Sequence, residues 1–389
     1  MTSAGPLPSS RAVRPGRLDS LTGLRWWAAF AVFLFHMRIF APLPHTSEVV
    51  VFGDYGVAFF FVLSGFVLTW SARPGTPVAT FWWRRFARIY PAHLVALLLA
   101  IPVFYSFEPD PSEWWVKPVS LGVLFLSVVL LQGWSTNPTI LFSGNPAAWT
   151  LTCEAFFYAL HPILHRGFLR LRARGTLIVT ASVLFLAFAY RGATLFFPEA
   201  WFAQLPLPIT RLSEFVIGIG VARAMLLGWR PRVPVAACYA IGGALLGWLV
   251  LAKHFGLSDP ASRLVSLTGS EWIILVFAVT IAAVAERDIR GGRSWLCQPW
   301  LVKLGEWSFC FYLIHATIMY FCLATFGAQP VSWSNIGWHA AVFAVALLGS
   351  WALHSFLERP VERRLRGWWD RRATLRGTPL SSTRQKALG

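Results

Sequence analysis

The chain has 389 residues, 56% hydrophobic and 13% charged, with 21 Trp and 32 Phe. Soluble domains sit nearer 45–50% apolar with about a quarter charged, so a disordered chain, a coiled coil and an ordinary soluble α/β enzyme are excluded and an all-α polytopic membrane protein remains. The net charge of +17 does not point to nucleic acid, because Lys and Arg fall in short clusters between apolar runs, as in membrane loops.

Residues 1–20 are polar, Pro-rich and basic, with Arg11, Arg14 and Arg17, and read as a cytoplasmic tail. No cleavable signal peptide is expected, since the first apolar run has no small-residue exit and leads into further runs. Apolar runs occupy 24–41, 52–71, 87–107, 118–133, 149–165, 176–192, 207–227, 234–252, 268–285, 304–325 and 333–356. A span needs about 20 residues, and the runs at 118–133 and 149–165 fall short. The basic clusters are Arg73, Arg84, Arg85 and Arg88; Arg166, Arg170, Arg172 and Arg174; Arg223, Arg230 and Arg232; Arg287, Arg290, Arg293 and Lys303; and the stretch from Arg359 to Lys386. All belong on the cytoplasmic side. Two candidates lie between 107 and 166, where the chain must cross an odd number of times. The count is therefore about ten transmembrane helices, both termini cytoplasmic, with one short run re-entrant or interfacial. Such backbone needs a covering of protein or a water-filled cavity, which places the cavity near 130–160. The layout is a tail over 1–20, a membrane domain over 21–358 and a basic cytoplasmic tail over 359–389. The loop EPDPSEWWVK over 108–117 reads as outer and interfacial, with Trp114 and Trp115 at headgroup level.

Ionisable groups inside spans are costly and mark function. The first run holds Arg25 and His36, roughly 16 Å apart along a helix and within about 20° of one face. They read as a cationic donor-binding group below a general base, imidazole being near neutral in its titration; a snorkelling Arg and a core His are the plain alternative. Ser64 and Gly65 interrupt GVAFFFVLSGFVLTW; no GxSxG elbow surrounds Ser64, so close packing is expected there. In FWWRRFARIYPAH, Arg84, Arg85 and Arg88 read either as topology signals or as a phosphate cradle, and Pro91 fits the first turn of a helix. WTLTCEAFFYALHP sets Glu154, Tyr158 and His161 on one helical face; the carboxylate must be paired, protonated or facing a polar cavity, and it reads as orienting or charge-balancing His36 or Arg25. GEWSFCFYLIHATIMY puts Glu306 at the inner entrance, with Tyr312 and His315 one turn apart. Arg211 and Glu214 read as an outer helix-end pair, and Glu358 as a structural cap. The cysteines Cys153, Cys238, Cys297, Cys310 and Cys322 form no CxxC and no ligand spacing, so they read as buried small hydrophobes and no metal is expected.

In order and spacing, the segments LTGLRWWAAFAVFLFH, AFFFVLSGFVL, RRFARIYP, WTLTCEAFFYALHP, GEWSFCFYLIH and FLERPVERRL resemble the integral-membrane acyltransferase 3 family, over about residues 18–366. The resemblance implies transfer of an acyl group, commonly acetyl, from acyl-coenzyme A to a hydroxyl of a carbohydrate or glycosylated metabolite such as a macrolide. A surface polysaccharide is the alternative acceptor. It carries the family's Arg and His onto Arg25 and His36, its helix-two Ser-Gly-Phe onto Ser64, Gly65 and Phe66, its basic entrance onto Arg84, Arg85 and Arg88, its Glu onto Glu154 and its late His onto His315. The position after that Glu is often acidic or polar in the family and is Ala155 here. No appended SGNH-type domain is expected. The expectation is a multi-pass protein of the bacterial cytoplasmic membrane, with catalytic His36, Arg25 and Glu154. Arg84, Arg85, Arg88, Ser64, Tyr158 and His315 would hold the donor. Acyl-CoA is then a substrate, with no permanently bound cofactor and no nucleic-acid partner; oligomeric state is left open. A secondary transporter would show inverted repeats, which the sequence lacks, and a scaffold would tolerate substitution of the buried charges.

Overall fold

The polar-to-apolar change at the start of the chain marks the first helix, α1 (Asp19–Phe40), with Asp19 in its first turn and Arg38 in its last, both favourable to the helix dipole. The structure, a computed structural model, describes residues 16–375 apart from 256–263, 266 and 293. Arg11, Arg14, Arg293 and the basic residues after Leu375 lie outside the described residues. A short α2 (Ser47–Val50) and a 3-10 turn lead into α3 (Gly56–Trp70), and α4 (Val78–Phe104) follows. Strands β1 (Tyr105–Ser106) and β2 (Lys117–Pro118) pair in parallel across the acidic loop. Then come α5 (Leu121–Val128), α6 (Pro138–Leu141), α7 (Trp149–Leu169), α8 (Ala173–Phe196), α9 (Leu207–Thr210), α10 (Leu212–Leu226), α11 (Val235–Phe255), α12 (Gly269–Ile289) and α13 (Pro299–Phe326). The chain closes with α14 (Ile336–Ala352), a π-helical turn over Leu353–Glu358 and α15 (Arg359–Leu375).

Among the described residues, six helical stretches are long and apolar enough to cross a membrane: Ser47–Trp70, Val78–Phe104, Ala173–Phe196, Val235–Phe255, Pro299–Phe326 and Trp333–Leu375. The chain is thus an all-α polytopic membrane protein, but length and apolarity single out six spans where the charge pattern gives ten. The difference lies in α1, α7, α10 and α12. All four carry charged residues within otherwise apolar helices, among them Arg25 and Arg38 in α1, Glu154 in α7, Glu214 in α10 and Glu271 and Glu286 in α12, and α10 has only 15 residues.

Of the two short runs, 149–165 lies within the 21-residue α7. The other breaks: α5 has eight residues, and Leu130 just beyond it sits at φ 57°, a left-handed backbone that ends a helix. Pro91 departs from its expected place in a first turn. It lies inside α4, as does Pro102, where membrane bundles tolerate proline because neighbours satisfy the freed backbone groups.

Packing is built chiefly on α1 against α13, α3 against α10, α13 against α14 and α8 against α10, and α15 lies on α4. The second contact depends on two glycines facing each other's helix. A Cβ on Gly65 would collide with the Phe215 carbonyl, and one on Gly218 with the Val62 carbonyl. This is the close approach that small residues permit when helix association relies on van der Waals contact. Near its N-terminal end α13 is tied to the start of α1 by the ion pair Arg17–Glu306, 2.7 Å. Arg211 and Glu214 form the expected pair at 2.6 Å.

Candidate active site

Five helices converge on a cavity of about 130 Å³ lined by Arg25 of α1, Ser64 of α3, Arg85 and Arg88 of α4, Glu154 and Tyr158 of α7, and apolar residues including Phe60 and Phe309. Glu154 and Tyr158 stand one turn apart, the spacing that brings side chains together on a helix, and the Tyr158 hydroxyl donates to Glu154 Oε2 at 3.0 Å. The Ser64 hydroxyl donates to Tyr158 Oη at 3.4 Å. The third member of that face, His161, leaves the cavity: its ring stacks on Phe81 at 4.9 Å, with Nε2 3.4 Å from Thr69 Oγ1. The expected cavity near 130–160 therefore takes only Glu154 and Tyr158 from that stretch.

The three arginines of α4 do not form a single cradle. Arg84 pairs with Asp370 of α15 at 3.4 Å and does not line the cavity. Arg88 is ion-paired with Glu358 and lies 3.3 Å from Glu362. Arg85 has no ion pair among the described residues; its guanidinium lies 5.9 Å from the centre of the Phe81 ring, and its Nε is buried without a hydrogen-bond partner. Arg25 likewise has no ion-pair partner within salt-bridge distance among the described residues. The cavity thus holds two uncommitted cations against one carboxylate, a balance suited to an anionic ligand.

His36 lies elsewhere, about 16 Å further along α1, and Glu154 neither touches nor orients it. Its neighbour is His315, fully buried on α13: His315 Nε2 is 3.2 Å from His36 Nδ1. His36 Nδ1 is also 2.9 Å from the Val32 carbonyl, and His315 Nδ1 is 3.0 Å from the Phe311 carbonyl. Carbonyls only accept, so each Nδ1 carries a proton, and each neutral ring has a lone pair on Nε2. His36 Nε2 has no hydrogen-bond partner among the described residues, and it is absent from their sealed, unpartnered polar atoms. It is reachable. His315, expected at the donor, therefore sits beside His36, whereas Arg25, Ser64, Arg85, Arg88, Glu154 and Tyr158 share the cavity.

Sequence reasoning missed two sets of residues. Glu358 is not simply a cap. Besides Arg88, its Oε2 accepts from Cys310 Sγ at 2.9 Å and lies 3.0 Å from His354 Nδ1. Cys310 is thus a hydrogen-bonding thiol, not only a small hydrophobe. The available signal was Pro360, two residues after Glu358. Proline lacks an N–H and crowds the carbonyl four residues earlier, and the π-helical turn next to it aims His354 and Glu358 inward. These two residues and Cys310 place N, O and S within 4.8 Å of one another, but the carboxylate is already held by the Arg88 guanidinium. The second is Asn145, which acts together with Tyr312, placed by the sequence only one turn from His315. Asn145 Nδ2 donates to the Leu313 carbonyl at 2.7 Å, and the Tyr312 hydroxyl donates to the Ala147 carbonyl at 3.3 Å. They tie the loop before α7 to α13 next to His315.

Residues 18–355 match a family described as an acyltransferase domain. The chain is 34% identical over 378 residues to the acyltransferase MdmB of Streptomyces mycarofaciens, covering 90% of this chain and 92% of that one. It is 28% identical over 333 residues to the exopolysaccharide production protein ExoZ of Rhizobium meliloti, covering 84% and 95%. It is 25% identical over 369 residues to nodulation protein 10 of Rhizobium leguminosarum bv. viciae, covering 89% and 93%. No solved structure matches the chain.

Proposed function

The chain belongs to the acyltransferase family whose domain it matches over residues 18–355, and on that premise we propose that it moves an acyl group from acyl-CoA to a hydroxyl through the two sites just described. It is a multi-pass membrane enzyme, and family membership displaces the transporter and scaffold alternatives. The donor is acyl-CoA, with acetyl the expected group, arriving from the cytoplasm. The acceptor is a carbohydrate or a glycosylated metabolite such as a macrolide; a relative named for exopolysaccharide production favours a sugar hydroxyl. Ten crossings follow if α1, α7, α10 and α12 span together with the six apolar stretches and α5 does not. The basic clusters then all fall on the cytoplasmic side.

Arg25 and Arg85 bind the anionic part of the donor, since both are uncommitted and line one cavity. Arg84 and Arg88 are engaged by acidic side chains of the last helices, so they shape the entrance. Three turns separate Arg25 from His36, too far for both to meet one reacting atom, which assigns Arg25 to the donor and not to the oxyanion. The pantetheine arm spans this gap and presents the thioester near His36. The acceptor hydroxyl gives its proton to His36 Nε2 as its oxygen attacks the thioester carbon. The tetrahedral adduct then collapses, the carbon–sulfur bond breaks, and the imidazolium returns the proton to the CoA sulfur. The products are an ester and free CoA.

The observation that carries this reading is the bare, reachable His36 Nε2 on a ring whose Nδ1 is already committed. The test compares glycans and glycosylated metabolites by mass spectrometry, from cells carrying wild-type protein or His36→Ala at matched membrane levels. Loss of one acyl increment in the variant supports the reading. Equal acylation in both removes His36 as the base.

A further inference from the structure

We propose that His315 is a positioning residue for His36: it accepts the His36 Nδ1 proton, so that the base is presented through Nε2. The geometry leaves His315 one role in this pair. Its Nδ1 proton is spent on the Phe311 carbonyl, 3.0 Å away, so its Nε2 can only accept. That lone pair is buried among rings, Phe33 at 6.3 Å and Phe311 at 5.7 Å between centroids. The donor that meets it among the described residues is His36 Nδ1 at 3.2 Å. A buried acceptor left unpaired is costly, so the contact favours the His36 tautomer protonated on Nδ1. Asn145 donates to the Leu313 carbonyl and Tyr312 donates to the Ala147 carbonyl, which ties the loop before α7 to α13 just ahead of His315.

The inference rests on the transfer reading for its consequence, not for its geometry. When His36 Nε2 takes the acceptor proton, the imidazolium keeps its Nδ1 proton, shared between the Val32 carbonyl and His315 Nε2. The charge is thereby spread by a neutral acceptor in a dry setting, and the Nε2 proton passes on to the CoA sulfur. His315 never touches the reacting atoms.

The test uses full-length protein with 15N-labelled histidine in lipid nanodiscs, and His36→Ala to assign the His36 signals. The expected wild-type spectrum shows His36 protonated on Nδ1 and bare on Nε2. In His315→Leu the Val32 carbonyl holds the His36 Nδ1 proton alone, so the Nδ1 signal shifts and the Nε2-protonated tautomer gains population, and in His315→Gln, whose amide oxygen still accepts, the wild-type pattern persists. In parallel, transfer from radiolabelled acetyl-CoA in membranes from cells that make the acceptor should lose about tenfold or more in kcat in His315→Leu, with the KM for acetyl-CoA unchanged, and His315→Gln should recover most of it. A wild-type His36 protonated on Nε2 overturns the proposal. So does an unchanged signature in His315→Leu, or a glutamine variant as impaired as the leucine one. If wild-type protein transfers no acetyl group, the functional reading fails while the spectra still decide the role of His315.

Discussion

Arg88 and Glu358 are ion-paired where α4 meets the π-helical turn near the end of the chain, and the Glu358 side chain is only 1% exposed. Deleting one partner of such a pair leaves a charge buried and unmatched, which costs about 3–5 kcal/mol, whereas replacing both by apolar groups is far milder. Glu358→Ala should therefore strongly lower the unfolding temperature of the detergent-solubilised protein, and Arg88→Met with Glu358→Met should recover much of the loss. Equal destabilisation by the single and the paired changes would show that the charges are not coupled.

Arg85 and Arg84 are adjacent but should behave as opposites. Arg85 lines the cavity and is uncommitted, so Arg85→Gln should raise the KM for acetyl-CoA by about tenfold, the loss of one charge-assisted contact. Arg84 faces Asp370. Both side chains are about one-third exposed, so Arg84→Gln should leave KM within about twofold. Steady-state kinetics with acetyl-CoA as the varied substrate separate the two, and a KM raised equally by both would restore the three-arginine cradle.

The contrast explains what the sequence could and could not reveal. Helical spacing put Glu154 with Tyr158, which are hydrogen-bonded, and membrane cost singled out Arg25, which lines the cavity, because both rules act within one helix. The partition of Arg84, Arg85 and Arg88 depends on Asp370, Glu362 and Glu358, which are distant in sequence; Glu358 reads there only as a cap, and Glu362 and Asp370 stand among basic residues with nothing to mark their partners. The link from Glu154 to His36 failed for the same reason: spacing along α7 says nothing about which level of α1 it faces. The number of spans was hard to read for a different cause. The charges that serve the site also lower the apolarity of the helices that carry them, α1 and α7 above all.

Gly65 should be intolerant of any side chain. Its added Cβ would strike the Phe215 carbonyl, and backbone cannot move aside as a flexible side chain does. Gly65→Ala should push α3 from α10 and cost about 1–3 kcal/mol, read as a lower unfolding temperature. Gly122→Ala, where nothing lies within 4 Å, is the control and should be near neutral. Equal stability of both variants would remove the close-approach argument.

Lys117 gives a pH dependence outside the membrane-spanning segments. Burial pushes its ammonium down to about 8 from an ordinary 10.5, and Nζ donates to the Phe142 carbonyl at 2.6 Å. Between about pH 8 and 10.5 the unfolded chain holds more protons than the folded one, so this residue makes stability rise with pH across that window. Below it the cost of charging the buried amine is present in full. Lys117→Met should remove the rise. Unfolding temperatures of the two proteins from pH 7 upward should diverge in favour of the wild type, and a constant difference would contradict the assignment.

Glu154 separates charge balance from proton transfer. It faces the cavity shared by Arg25 and Arg85 and holds Tyr158 through a 3.0 Å hydrogen bond. Glu154→Gln keeps an oxygen that accepts from Tyr158 and removes only the negative charge. The cavity then becomes more positive, so an anionic donor should bind more tightly and the KM for acetyl-CoA should fall. The cost in kcat should be modest, about tenfold at most, because the carboxylate takes no proton from the acceptor. His36→Ala should instead remove the base and with it about 100- to 10,000-fold in rate. Comparing both variants with acetyl-CoA in the same membranes decides between the roles. A glutamine variant as inert as His36→Ala would move the base from α1 to α7 and make the cavity itself the place where the acyl group changes hands.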